Sequence, residues 1–266
     1  MNMYLHELKS MRKSTIMWTC SMIAIALVYL SLYPAIFSDG AHFKDMLAGY
    51  PASIRAVLGV TLDSVTTLLG FYSMIIAFVV LCGGIQAMNL GMSMLSKETR
   101  ERTADFLLVK PVSRAAVVTA KILAGLTVFL ITDVVYYAGA SVIASIVKQS
   151  SYSGGLFFMI NLTLFFVQLI FFAIGAVVSV FFDRLRSVLP VSLGTVFGCY
   201  IIGALVAAGK DDWARFISPF RYFDYSYIIQ NSRYETPYLA TGAVIVIVSV
   251  VTCYFVYARK DIHAVS

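Results

Sequence analysis

Apolar and polar positions divide this chain into six long apolar runs separated by shorter polar segments. The runs cover about Ile16–Phe37, Leu68–Leu95, Ile122–Val147, Leu156–Phe182, Val188–Ala208 and Tyr238–Ala258. A helix needs roughly 20 apolar residues to cross the hydrocarbon of a bilayer, and each run reaches that length. The sixth run contains AVIVIVSVVTCYFV, a β-branched stretch that in water would suggest a buried strand. A lone strand in lipid leaves its backbone groups unpaired, so a helix is expected there too. The predicted fold class is all-α: one polytopic membrane domain over residues 1–266 with six transmembrane helices and short amphipathic helices outside them.

The polar segments carry patterns of their own. Near the N-terminus, Met1, Tyr4, Leu5, Leu8 and Met11 share a face, with His6, Lys9, Arg12 and Lys13 largely off it. Over residues 1–13 this predicts an interfacial helix lying in the headgroup layer; the alternative is a frayed basic tail. Between the first two runs, Phe43, Met46, Leu47 and Tyr50 keep helical spacing, Pro51 breaks it, and Ile54, Val57 and Leu58 resume it. Two short amphipathic helices are expected, with Pro51 in the first turn of the second. Before the last run lies an aromatic segment, DWARFISPFRYFDYSYIIQNSRYETPYL. Asp212 is placed to cap a helix with Trp213, Phe216, Ile217 and Phe220 on one face, bent or interrupted at Pro219. Trp and Tyr gather at the membrane–water boundary, so the segment reads as an aromatic belt or shallow re-entrant hairpin, or as a lid over an exit pathway.

Composition removes the soluble alternative. The chain is 60% hydrophobic and 13% charged, with a mean hydropathy of +0.85, and a soluble domain of this size cannot cover so much apolar surface. Charge then sets an orientation. With both termini, the second loop and the fourth loop in the cytoplasm, that side holds thirteen of the 20 Lys and Arg, and the opposite side seven. Net charge is then +7 inside and zero outside, with Asp133 alone inside a span. Anionic lipid accounts for the basic balance without a nucleic-acid partner. Cys20, Cys82, Cys199 and Cys253 each fall in an apolar run, far apart, and read as small buried hydrophobes rather than disulfides or zinc ligands. The first run exceeds a signal-peptide core and lacks a clear cleavage site, so no cleaved leader is expected.

The densest charge lies between the second and third runs, in SKETRERTADFLLVKPVSRAAVVTAK, residues 96–121. Glu98, Glu101 and Asp105 mix with Lys97, Arg100, Arg102, Lys110, Arg114 and Lys121. Thr99–Val109 favours a short helix with Ala104, Leu107 and Leu108 on one face, Pro111 stops it, and Ser113 is placed to cap the next helix. A solvated basic loop would explain the charges. It would not explain Phe106-Leu107-Leu108, which suggest a docking surface for another protein. Chemistry of the chain's own is not in view. The string from Gly203 to Asp211 has one residue too many between its glycines for a phosphate-binding loop and Asp where Ser or Thr should hold magnesium. His6, His42 and His263 are scattered, and no nucleophile elbow occurs. Energy for work against a gradient would come from an ion flux or a partner.

These residues resemble the loop between spans two and three of type-2 ATP-binding-cassette (ABC) transporter permeases. The likeness rests on Glu98, Glu101, Thr103, Asp105, Leu107, Leu108, Pro111–Arg114 and Lys121, with departures at Arg102, where Gly is usual, and Ala104, where Leu is usual. Ile217-Ser-Pro-Phe220, Tyr222-Phe223-Asp224 and Arg259-Lys260-Asp261-Ile262 extend it, as does the Tyr50-Pro51 break, so it covers nearly the whole chain. The resemblance implies that residues 96–114 form a coupling segment inserted into a cytoplasmic ABC ATPase subunit, with Glu98, Glu101, Thr103, Asp105, Phe106, Leu107, Leu108 and Arg114 as its contacts. It implies a second permease chain, identical or related, and export of a peptide, antibiotic or lipid-like cargo across a bacterial plasma membrane. No cofactor would bind this chain, and ATP and magnesium would sit on the ATPase.

Polar and small residues in the spans leave alternatives open. An ionised Asp133 in mid-span costs roughly 2.5–3.5 kcal/mol on insertion scales, so it should face protein or water. It is either a substrate or ion contact, near Thr132, Tyr136 and Tyr137, or an interhelical hydrogen bond. Gln86, Asn89, Asn161 and Gln168 are expected to bond between helices. Gly194 and Gly198 allow close helix approach, either at a dimer interface, as the resemblance suggests, or within one subunit. The rival functions are a secondary transporter or channel using Asp133, and a non-transporting scaffold or sensor subunit.

Overall fold

In a computed structural model of the chain, residues 3–51, 55, 66–100, 113–181, 187–209 and 212–259 are described. Nine α-helices and two 3₁₀ turns account for most of them, with no strand among the described residues. No Gly or Pro interrupts residues 3–31, and α1 (Met3–Ser31) runs unbroken through them. Residues 3–13 therefore extend the first spanning helix and do not form the separate element expected over 1–13. The chain turns at Leu32, and Pro34 opens α2 (Tyr33–Ser38), where its missing N–H costs nothing. α3 (Gly40–Ala48) carries the Phe43–Leu47 pattern and ends before Pro51, as its spacing predicts. The second helix expected in this loop falls mostly on residues 52–65, outside the described residues.

The remaining spans are α4 (Leu68–Arg100), α5 (Arg114–Val147), α6 (Gly154–Phe181), α7 (Val188–Ala208) and α9 (Thr236–Arg259). With α1 they make six helices long and apolar enough to cross a membrane. At the start of α5, Ser113 Oγ accepts from the Ala116 N–H at 3.2 Å, the cap expected from sequence. Between α7 and α9, the aromatic segment folds as 3₁₀ turns at Asp212–Ile217 and Pro219–Arg221, then α8 (Tyr225–Asn231). The face expected to carry Trp213, Phe216, Ile217 and Phe220 together is split. Ser218 is extended and Pro219 starts a new turn. Phe220 therefore packs inward on Phe171 and Tyr200, while Trp213 and Ile217 stay exposed. Asp224 caps α8 by accepting from the Tyr227 N–H at 3.1 Å, and Ser232 ends it in the left-handed region at φ 53°.

α4 and α6 form the core. Within their most apolar windows 72% and 61% of residues are buried, against 17% for α7 and 11% for α9. Glycines set the closeness of this pair. A Cβ on Gly91 would lie 2.3 Å from the Phe172 carbonyl oxygen, and one on Gly175 would lie 2.7 Å from that of Met88. Backbone meets backbone there, so no side chain fits. α1 packs along α5, and α9 leans on α6 and α5. The outer faces of α7 and α9 remain bare, with Ile201, Leu205, Ile247 and Val251 more than half exposed.

Gly175→Leu forces α4 and α6 apart, and overpacking of this kind costs about 1–3 kcal/mol or more. A thermal-shift measurement on purified protein should show a clear loss of stability. Gly155→Ala, whose Cβ meets nothing nearer than 3.8 Å, should leave the midpoint unchanged.

Candidate functional site

The ends of the charged loop are held together inside the bundle. Lys121, in the second turn of α5, is fully buried. Its ammonium donates to the Met94 carbonyl on α4 and lies 3.5 Å from Glu7 Oε1 on α1. Burying a charge is costly unless it is paired and hydrogen-bonded, and here two other helices, α1 and α4, supply the lysine's partners. The same seam is stitched further by Tyr4 Oη, 2.9 Å from Thr127 Oγ1. Met94 and Lys121 bracket residues 95–120, the span of sequence that holds the expected coupling segment.

Beside this clamp, α1, α4 and α5 border a half-open pocket of about 200 Å³. Glu7, Ser10, Ser14, Gln86, Asn89 and Ser93 are among its lining, a polar wall that runs from the buried Glu7 and Gln86 out to the exposed Ser10 and Ser14. Each water needs roughly 10–15 Å³ and two to four polar partners, so several fit. Asn89, expected to bond between helices, faces this pocket instead.

A chain of polar side chains leads away from the pocket. Thr19 donates to Thr132 Oγ1 at 3.3 Å, Gln86 Nε2 lies 3.4 Å from the same oxygen, and Gln168 Nε2 lies 3.3 Å from Gln86 Oε1. With the Gln168 amide turned so that its nitrogen faces Asp133, that nitrogen donates to Oδ1 at 3.1 Å and Oδ2 at 3.2 Å. Turning Gln86 with it lets Gln86 donate to Gln168 at 3.3 Å, giving donors that point in one direction toward the carboxylate. Asp133 thus ties α5 to α6 through Gln168. A second polar layer lies beyond it. Tyr72 Oη donates to Asn161 Oδ1 at 2.7 Å and stands 3.0 Å from Tyr136 Oη, so Asn161 bonds between helices as expected.

At the end of the bundle away from the clamp, Arg215 binds Glu235 through both ends of its guanidinium, at 3.1 and 2.5 Å. Its Cζ lies 4.1 Å from the centre of the Tyr238 ring. Burial acts to lower the Arg215 pKa, but the Glu235 carboxylate outweighs it and the net shift is upward. Burial pushes the Tyr234 phenol up to about 12, so it stays a neutral donor to the Met159 carbonyl at 2.8 Å.

Among the residues singled out from sequence, Glu98 lies in the last turn of α4 and Arg114 opens α5. Glu101, Thr103, Asp105, Phe106, Leu107 and Leu108 lie outside the described residues. Gly194 and Gly198 have nothing within 4 Å of a Cβ position, so among the described residues they pack against no helix of their own subunit. No cluster of His, Cys, Asp or Glu able to hold a metal occurs among the described residues. Sequence reasoning missed Glu7, although it is the one acid in the first 38 residues of an otherwise basic N-terminus.

A family profile described as "ABC-2 family transporter protein" matches residues 1–262. The chain belongs to the ABC-2 transporter family. No curated protein sequence matches it. Membership makes this ABC-2 chain a multi-pass membrane permease subunit and implies an ABC ATPase as its partner. In an ABC-2 permease the chain that binds nucleotide is normally that partner.

Removing one member of a buried ion pair strands the other, at about 3–5 kcal/mol. Lys121→Met should therefore lower the thermal midpoint of the purified permease more than the double variant Glu7→Gln, Lys121→Met does. Equal losses would mean that the two groups are not coupled. Asp133 gives a second comparison. Asp133→Asn keeps an acceptor for Gln168 and should retain stability, whereas Asp133→Leu strands a buried amide at about 1–3 kcal/mol. Intact stability with lost transport in Asp133→Asn would instead make Asp133 a cargo or ion contact.

Proposed function

We propose that this chain is the membrane subunit of an ABC exporter in a bacterial plasma membrane, with both termini and residues 96–114 in the cytoplasm. Two such chains, identical or related, bind two ATPase subunits that carry the ATP and magnesium. Closure of the ATPases pushes on the coupling segments and switches access between the two sides of the membrane. The cargo is an amphipathic compound: a peptide, an antibiotic or a lipid-like molecule.

The observation that carries this reading is the charged block itself. It holds Phe106-Leu107-Leu108, with no span to bury them, between two helices whose ends are joined at Lys121, Glu7 and the Met94 carbonyl. A push on a loop fixed at both ends moves α4 and α5 together with α1, which a slack loop would not do. Family membership supports the ATPase partner. The open faces of Gly194 and Gly198 support a second chain against α7. The ion-driven rival would use Asp133, but its carboxylate is within bonding distance of Gln168, which favours an interhelical role.

Burial of one Leu contributes roughly 1.5–3 kcal/mol, so its loss should weaken docking about ten- to a hundredfold. Leu107→Arg should reduce recovery of the ATPase in a pull-down and abolish transport at equal membrane expression. Glu101→Gln should act more mildly, because exposed ion pairs typically contribute under about 1 kcal/mol. Full ATPase recovery and transport by Leu107→Arg would reduce the block to a solvated loop.

A further inference from the structure

At the aromatic end of the bundle two hollows meet along α9. The first is a recess of about 430 Å³ lined by Tyr227, Arg233, Glu235 and Thr236, among others. Tyr234 and Tyr238 also line it, with the exposed Phe216, and Tyr is a residue that settles at the headgroup level of a bilayer. The second is a groove of about 260 Å³ between α6 and α9. Ile170 forms one wall, Leu239, Gly242, Ala243 and Val246 the other. Gly242 lets α9 sit close to Ile170, since a Cβ there would stand 3.0 Å from Ile170 Cδ1. Tyr234 joins the two hollows: it lines the recess and packs edge-on against Phe166 and Phe223, which line the groove.

Charge distinguishes the recess from an ordinary boundary surface. Glu235 is engaged on both oxygens by Arg215, so it does not neutralise Arg233. Arg233 donates through Nε to the Tyr227 hydroxyl at 3.1 Å, which aims its guanidinium while leaving the Nη edge for another acceptor. One surplus positive charge beside hydroxyls suits a phosphodiester, which a guanidinium binds through parallel N–H bonds. The groove below offers only apolar surface. An occupant must therefore carry an anionic head and a hydrocarbon tail on one molecule.

We propose that the α6–α9 groove and the Arg233 recess together form a binding site for an anionic phospholipid of the adjacent leaflet. The phosphate sits against Arg233 and Thr236, and one acyl chain runs along Leu239, Ala243 and Val246. In the orientation proposed above this is the outer leaflet. The site does not depend on the ATPase or on the identity of the cargo.

Native mass spectrometry of the delipidated full-length chain, titrated with phosphatidylglycerol, tests the site. Phosphatidylcholine, diacylglycerol with the same chains, and glycerol phosphate serve as comparison ligands. Wild-type protein should hold phosphatidylglycerol more tightly than phosphatidylcholine, and both more tightly than diacylglycerol. Arg233→Gln should weaken phosphatidylglycerol about tenfold, the loss of one charge-assisted contact. Ala243→Phe, which fills the groove from an exposed position, should weaken it similarly, with both variants keeping the wild-type thermal midpoint. Unchanged binding in Arg233→Gln, or equal retention of diacylglycerol, would overturn the headgroup contact. Unchanged binding in Ala243→Phe, or competition by glycerol phosphate as strong as by lipid, would overturn the acyl contact. Dimeric chains that exclude the lipid would show the groove to be covered by a second copy, and the proposal would fail.

Discussion

A buried lysine constrains the rest of this molecule. Lys121 sits in the interior with its charge, and an unpaired ammonium there would cost several kcal/mol. Glu7 and the Met94 carbonyl must therefore stay within reach, which places α1, the end of α4 and the start of α5 at one point. That requirement explains why α1 continues as a helix back to Met3 instead of lying apart on the bilayer surface. It also joins Met94 to Lys121, the two residues that bracket residues 95–120.

The centre and the periphery of the bundle are built for different ends. α4 and α6 approach until carbonyls occupy the space of side chains at Gly91 and Gly175, and close van der Waals contact of this kind is what drives helix association where lipid offers no hydrophobic gain. Gln86 with Gln168 and Tyr72 with Asn161 bond within this pair, and Thr132 and Tyr136 extend the network to α5. α7 and α9 instead keep exposed Ile, Leu and Val side chains on their outer faces, which call for lipid or another protein. A rigid core carrying two bare helices fits a subunit that works in an assembly.

The six spans were legible because long apolar runs have few alternatives once a bilayer is the solvent. Ser113 as a helix cap was legible for a local reason: the signal lies within three residues. The N-terminal helix was misread because a short amphipathic pattern looks the same whether its face meets lipid headgroups or another helix. Glu7 was missed because its role depends on a lysine far away in sequence. Gly194 and Gly198 advertised themselves by spacing, whereas Gly91 and Gly175 matter through a crossing that no local pattern encodes. Asp133 was legible as a residue needing a partner, but Gln168 on another helix could be identified only in three dimensions.

The central claim is that residues 96–114 of this ABC-2 permease dock in a groove of an ATPase. Placing a photo-crosslinking amino acid at position 107 in cells that contain the native partner tests it directly. Irradiation should yield one covalent product joining the permease to a polypeptide that binds and hydrolyses ATP, while the same group at position 232, at the far end of the bundle, should yield none. A permease that forms no such product at 107, yet transports its cargo when an ion gradient alone is imposed, would contradict the account.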